Sequence, residues 1–339
     1  LSTNSARSIT KRPSFLNVPE RPYSRQIKRR RNGAAAHGRL LIRHASADGV
    51  RDIMTETSQF ALTRPAYVGQ AHLVVNDLAR VSDYYQKVIG LSVIEKQPSG
   101  EILGVNGQPL LTLSTSSNAE RAPRNAAGLF HTAFLLPSRK ELAHWLTHVA
   151  HNNIQLDGAS DHLVSEAIYL SDPEGNGIEV YRDRSPLEWT YQQDGTVEMN
   201  TLRLNLQELY DSAPKTPWQG APDGTAIGHI HLQVGNIPQA DEFYQDVLGL
   251  KIMARYPGAS FFATGSYHHH VAANIWNSRG AQARRDNMTG LAGYSLRFNE
   301  KGALDSAVAA LDRLGISTER QSDGIVLKDP WGIGLRLAA

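Results

Sequence analysis

Four stretches of alternating apolar residues recur at module-sized intervals along this chain, so its core must be built from paired or stacked copies of one unit. The first copy reads Gly69-Gln70-Ala71-His72-Leu73-Val74-Val75-Asn76-Asp77-Leu78, followed by Val81, Tyr84, Tyr85 and Val88-Ile89-Gly90-Leu91. The third reads Gly228-His229-Ile230-His231-Leu232-Gln233-Val234-Gly235-Asn236-Ile237, followed by Phe243, Tyr244 and Val247-Leu248-Gly249-Leu250. In both, a period of two gives a half-buried strand, an Asp or Asn opens a helix, and a Gly closes it. The second copy starts at Gly128-Leu129-Phe130-His131-Thr132 and continues into a helix through Leu142, Trp145 and Leu146. The fourth starts at Gly290-Leu291-Ala292-Gly293-Tyr294 and continues through Leu304, Val308 and Leu311. The expected modules are 66–118, 127–183, 226–278 and 288–339, with a polar, Pro-containing linker at 184–224. Taken along the chain, they divide into a first domain at 65–183 and a second at 225–339. A short βαβββ unit has an apolar face and open strand edges, so units should pair into half-open barrels with a ligand cavity inside. The fold class is α+β.

Charge separates this body from what precedes it. Residues 1–60 hold twelve Lys/Arg against four acids, a net of +8, while the remaining 279 hold 23 against 29, a net of −6. A mildly acidic body argues against nucleic-acid binding. The leader, 1–64, contains Arg29, Arg30 and Arg31 and has no sustained period. It reads as a disordered basic extension, with a mitochondrial transit segment or a nuclear-localisation-like cluster as alternatives. The expected location is the cytoplasm, or the mitochondrial matrix under the transit reading. No run of eighteen apolar residues exists, so no membrane helix or membrane partner is expected. The chain has no cysteine, so any metal must be held by His, Asp or Glu. A homo-oligomer is compatible with the pattern.

The stretch from His162 through Tyr169, Asp172-Pro173-Glu174-Gly175 and Glu179 is similar to the signature of extradiol dioxygenases, with Ser160 as one departure. Together with the repeat, it resembles the vicinal oxygen chelate superfamily of glyoxalases, bleomycin-resistance proteins and extradiol dioxygenases, most closely the four-module catechol-2,3-dioxygenase-like proteins. The resemblance covers about 66–339. It implies an extradiol dioxygenase that cleaves a catechol-type small aromatic diol with O2 at an Fe(II) site, Mn(II) being the alternative metal. No organic cofactor is implied. A glyoxalase-like isomerase or lyase, or a metal-free binding protein of the resistance type, are the alternative functions.

Within that family one metal ligand sits on a module's first strand and another on its last. Aligned copies put Gln70, His131, His229 and Gly293 at the first-strand position, Glu179 at the last-strand position of copy two, and Arg336 near that of copy four. His131, Glu179 and His229 alone have ligand chemistry there, and two imidazoles with one carboxylate make a facial triad suited to Fe(II). This assignment requires copies two and three to close around the metal, leaving one and four to pair. The domain order along the chain would instead separate His229 from the other two. His72 reads as a core residue. The resemblance implies that His269, in the run Tyr267-His268-His269-His270, is an acid–base catalyst, with His268 and His270 as alternatives, and that His162 and Tyr169 flank the substrate. Asp172-Pro173 reads as a turn, and Trp145, Trp276 and Trp331 as core or rim residues.

Overall fold

The computed structural model describes residues 57–116 and 118–339. Each copy folds as expected. The first gives β1 (Ala66–Val75), a helix over Leu78–Tyr84 whose last turn widens to a π-helix at Tyr85–Ile89, then β2 (Ser92–Gln97), β3 (Gly100–Val105) and β4 (Gln108–Thr115). Asp77 caps that helix by accepting from the Arg80 N–H, and Gly90, at φ +83°, ends it. The second copy gives β5 (Gly128–Leu135), a helix over Arg139–His151, β6 (Gly158–Asp161), β7 (Ser165–Ser171) and β8 (Gly177–Asp183). The third gives β9 (Ala226–Gln233), a short helix with its own π turn (Ile237–Asp241, Glu242–Val247), β10 (Lys251–Tyr256), β11 (Ala259–Ala263) and β12 (Val271–Asn274). The fourth gives β13 (Gly290–Phe298), a helix over Lys301–Arg313, β14 (Glu319–Gln321), β15 (Gly324–Lys328) and β16 (Gly334–Ala338).

The strands form two curled, mixed, eight-stranded sheets. One runs β10-β11-β12-β9-β5-β8-β7-β6, and the other β14-β15-β16-β13-β1-β4-β3-β2. Copies two and three therefore share a half-barrel, as the metal register requires, and copies one and four share the other. This corrects the grouping of copies along the chain into 65–183 and 225–339. The seams are the antiparallel pairs β5–β9 and β1–β13, which satisfy edges that a lone module would leave open. The stretch 184–224 connects the two copies of one sheet and holds a 3₁₀ turn (Pro186–Glu188) and a helix (Leu206–Asp211), so it is no featureless linker.

Each strand divides its side chains between two faces. Phe134 of β5 and Leu136 just past its end enter a large apolar core shared with Leu73 and Leu111 of the other sheet, while Ala133 and Leu135 face a smaller cluster with Tyr169 and Tyr181. The helices tie neighbouring copies together. Trp145 is buried and donates its indole N–H to the Val88 carbonyl (2.8 Å), and Tyr244 donates to Asp329 (3.0 Å). Trp145 and Trp331 are core residues, as expected. The basic leader lies outside the described residues up to 56. Its expected end at 64 is corrected, because Thr57–Leu62 is helical and Ala61 is fully buried.

Candidate metal centre

Three strand registers bring distant residues together. In β5, Ala133 sits opposite His229 of β9 and beside Glu179 of β8. His131 is two residues earlier on the same face of β5. The side chains converge with His131 Nε2 at 2.9 Å from Glu179 Oε2, His229 Nε2 at 3.4 Å from the same oxygen, and the two Nε2 atoms 3.3 Å apart. All three residues are at most 5% exposed, and they form the one such His/Asp/Glu cluster among the described residues.

The donor set fits a cation. Ligands about 2.1 Å from an ion on one face of an octahedron stand about 3.0 Å apart, close to these separations. A single proton can link two of the three lone pairs, whereas a central cation engages all of them. Burial pushes the Glu179 carboxyl up, but His229 and His131 outweigh it and hold it well below the usual carboxylate range, so it is ionised. One feature departs from a usual ligand set. His229 Nδ1 is buried without a partner among the described residues, where a metal-bound His ordinarily donates that N–H to an acceptor.

Next to the triad, the His268–His270 run lies in an irregular segment between β11 and β12, not within a strand. All three are buried. The ring of His269 packs 4.1 Å from that of His229, and its Nδ1 is 2.7 Å from His268 Nδ1. His268 Nε2 in turn meets Asp183 Oδ1 at 2.8 Å, while Asp183 Oδ2 accepts from Tyr267 at 2.9 Å. Burial, then the imidazoles of His229, His268, His231 and His131, push His269 well below its ordinary value, so it is neutral. His270 turns away. Its Nε2 donates to the Ala61 carbonyl (3.1 Å), and burial holds it down to about 3, giving it a structural role.

His162 and Tyr169 pair on the other side of the triad. His162 Nδ1–H donates to the Asn200 carbonyl (2.7 Å), which leaves Nε2 to accept from the Tyr169 hydroxyl (2.6 Å). The Tyr169 ring lies 5.6 Å from that of His131. Leu163, after His162, adopts φ +70°, a conformation costing a leucine about 1–3 kcal/mol, and is pinned there by its N–H to Asp161 Oδ1 (2.9 Å). Asp172 is a turn residue, as expected, accepting from the Glu174 and Asn176 N–H groups (2.8 and 2.9 Å).

Of the six residues expected at the site, His131, Glu179 and His229 converge, His269 packs on His229, Tyr169 packs on His131, and His162 reaches the group through Tyr169. Two others, His231 and Asp183, were missed, and His268 was expected only as an alternative base. His231, two residues from His229 on the same face, packs 4.8 Å from the His131 ring and accepts from Asn274 Nδ2 (3.0 Å). Asp183 follows Glu179 by four on the same strand face, and His268 joins it to His269. Strand alternation was the signal for His231 and Asp183. None existed for His268, whose orientation depends on an irregular backbone. Trp276 stands at the rim, beside Phe130 and His231. His72 is corrected. It is half-buried, bonded to Ser114 (2.7 Å), and lines a cavity in the other half-barrel instead of a core.

Residues 67–180 and 226–337 match the family model of the Glyoxalase/Bleomycin resistance protein/Dioxygenase superfamily. The chain belongs to this superfamily. It is 38% identical to the catechol-2,3-dioxygenase of Bacillus subtilis (strain 168) over 268 residues, spanning 78% of this chain and 94% of that protein. Among solved structures, one of a Bacillus subtilis subsp. subtilis str. 168 protein bearing a dioxygenase designation aligns with a TM-score of 0.55 at 13% identity, covering 80% of this chain and 84% of that one. Glyoxalase I from Zea mays aligns with a TM-score of 0.51 at 13% identity, covering 83% and 94%. These structural likenesses bear on the fold.

Proposed function

We propose that this superfamily member is an extradiol ring-cleaving dioxygenase that holds Fe(II) through His131, Glu179 and His229 and acts on a catechol-type diol with O2. The observation that carries the reading is the convergence of two buried imidazoles and one carboxylate from three separate strands. The likeness to a catechol-2,3-dioxygenase supports it. A bound iron would supply Lewis acidity and the oxygen chemistry.

The surrounding residues handle protons and position. Glu179 contributes one negative charge and the imidazoles none, so a divalent ion keeps net positive charge for an anionic diol. Asp183 requires an N–H on His268 Nε2, which makes His268 Nδ1 an acceptor and His269 Nδ1 a donor. His269 is left with a free lone pair on Nε2 and serves as the base for a diol hydroxyl. The positive charge it gains is stabilised through His268 by Asp183. Tyr169, oriented by His162, orients the substrate by hydrogen bonding.

An isomerase of the glyoxalase type ordinarily uses a second Glu, and the cluster here has one carboxylate. A metal-free binding protein would leave the three lone pairs facing one another in a buried site. Iron loading without oxygen, followed by aerated catechol, tests the proposal: a yellow ring-fission product is expected, and bound iron with no catechol consumption would refute it.

A further inference from the structure

The half-barrel of copies one and four repeats the metal half-barrel residue by residue with its charge inverted. In β13–β1, Gly293 pairs with His72 as His131 pairs with His231, and Ala292 is skipped as Phe130 is skipped. Ser295 stands beside Arg336 as Ala133 stands beside Glu179. The Gln70 N–H bonds Ser295 Oγ (2.9 Å), placing Gln70 where His229 lies opposite Ala133. The triad positions are therefore Gly293, Gln70 and Arg336. A Cβ at Gly293 would stand 2.7 Å from the Gly334 carbonyl, so no ligand side chain fits there. Val326 pairs with Arg336 as Tyr169 pairs with Glu179, and Pro109 precedes the His72-paired residue as His269 precedes the His231-paired one.

What remains is a cavity of about 560 Å³, lined by Gln70, His72, Thr112, Ser295, Arg297 and Arg336. That volume suits a small ligand. The cavity holds two guanidinium groups against one carboxylate, Asp323, which pairs with Arg336. The pair is 34% and 67% exposed, so it is worth about 1 kcal/mol or less and leaves Arg336 open to exchange. Arg297 has no ion-pair partner among the described residues. Burial lowers His72, so it is a neutral hydrogen-bonding group. Ile102 and Val326 supply apolar wall.

We infer that this second half-barrel binds a small organic carboxylate, its anionic end on Arg336 and Arg297 and its apolar body against Ile102 and Val326. Guanidinium forks match carboxylates in shape and charge, and the cavity's one carboxylate, Asp323, is paired with Arg336.

The test is calorimetric titration of the full, metal-free chain with benzoate at low salt, with inorganic phosphate as the second arm. Benzoate should bind at one site, tenfold or more weakly in Arg336→Gln and in Arg297→Gln, and unchanged in His131→Ala. Phosphate should bind at least tenfold more weakly than benzoate. Arg297→Gln removes no ion pair with a described residue, and its circular dichroism spectrum should match the parent. Benzoate affinity untouched by both arginine substitutions, loss of binding in His131→Ala, no binding at millimolar benzoate, or phosphate binding as tightly as benzoate would each overturn the inference. The outcome is independent of whether iron binds in the other half-barrel.

Discussion

The two half-barrels share strand order, seam register and the positions of the seam bulges, yet one gathers His131, Glu179 and His229 while the other presents Gly293, Arg336 and Gln70 in their places. The difference teaches that the scaffold supplies positions, and side chains alone decide whether a position attracts a cation or an anion. The strand plan is shared, and the backbone differs chiefly where the irregular segment 264–270 of one half is replaced by the tight β3–β4 turn of the other. The bias also reaches outward: the half with the triad carries the Asp183–His268–His269 chain, and its twin has Pro109 at the place of His269.

The contrast can be broken most sharply at the carboxylate. Glu179→Ala should cut catechol turnover by about 10³-fold or more, whereas Arg336→Ala at the matching place should leave it within about twofold, both read from steady-state rates. His269→Gln comes next. It should lower kcat by about 10²–10⁴-fold while iron content is retained, and Asp183→Asn, acting through His268, by about 10–100-fold. Equal losses from Arg336→Ala and Glu179→Ala would erase the asymmetry.

A smaller effect concerns acid. His270 is held at about 3 in the folded chain against an unfolded value of 6.5. Between those values the unfolded chain carries a proton that the folded chain lacks, so stability falls as pH is lowered through that window. From pH 7 to pH 5 the loss from this one group is about 2 kcal/mol, and His270→Gln should remove it from urea-unfolding measurements. The smallest effect should come from the twin, where His72→Ala should change turnover by less than about twofold, since His72 lies outside the triad's half-barrel.

Much of this was legible from residues alone. The period-two strands, the capping Asp77 and the closing Gly90 are local signals, and each copy's elements follow from them. The triad was legible because aligned repeats carry register, and a ligand's register is a strand property. The pairing of copies was decided by long-range complementarity that no local pattern records. Only the chemical demand that His229 meet His131 and Glu179 pointed to it. His268 was missed as a partner of Asp183 because the segment 264–270 follows no strand period. The end of the leader was misplaced because the burial of Ala61 depends on a surface formed by the second and third copies, where His270 meets it.

The account is most directly tested by counting iron. The full chain, purified and titrated with Fe(II) in the absence of oxygen, should saturate at one ion per chain by elemental analysis, and Glu179→Gln should bind less than about a tenth of that. No bound iron in the parent, two ions per chain, or full occupancy in Glu179→Gln would contradict it.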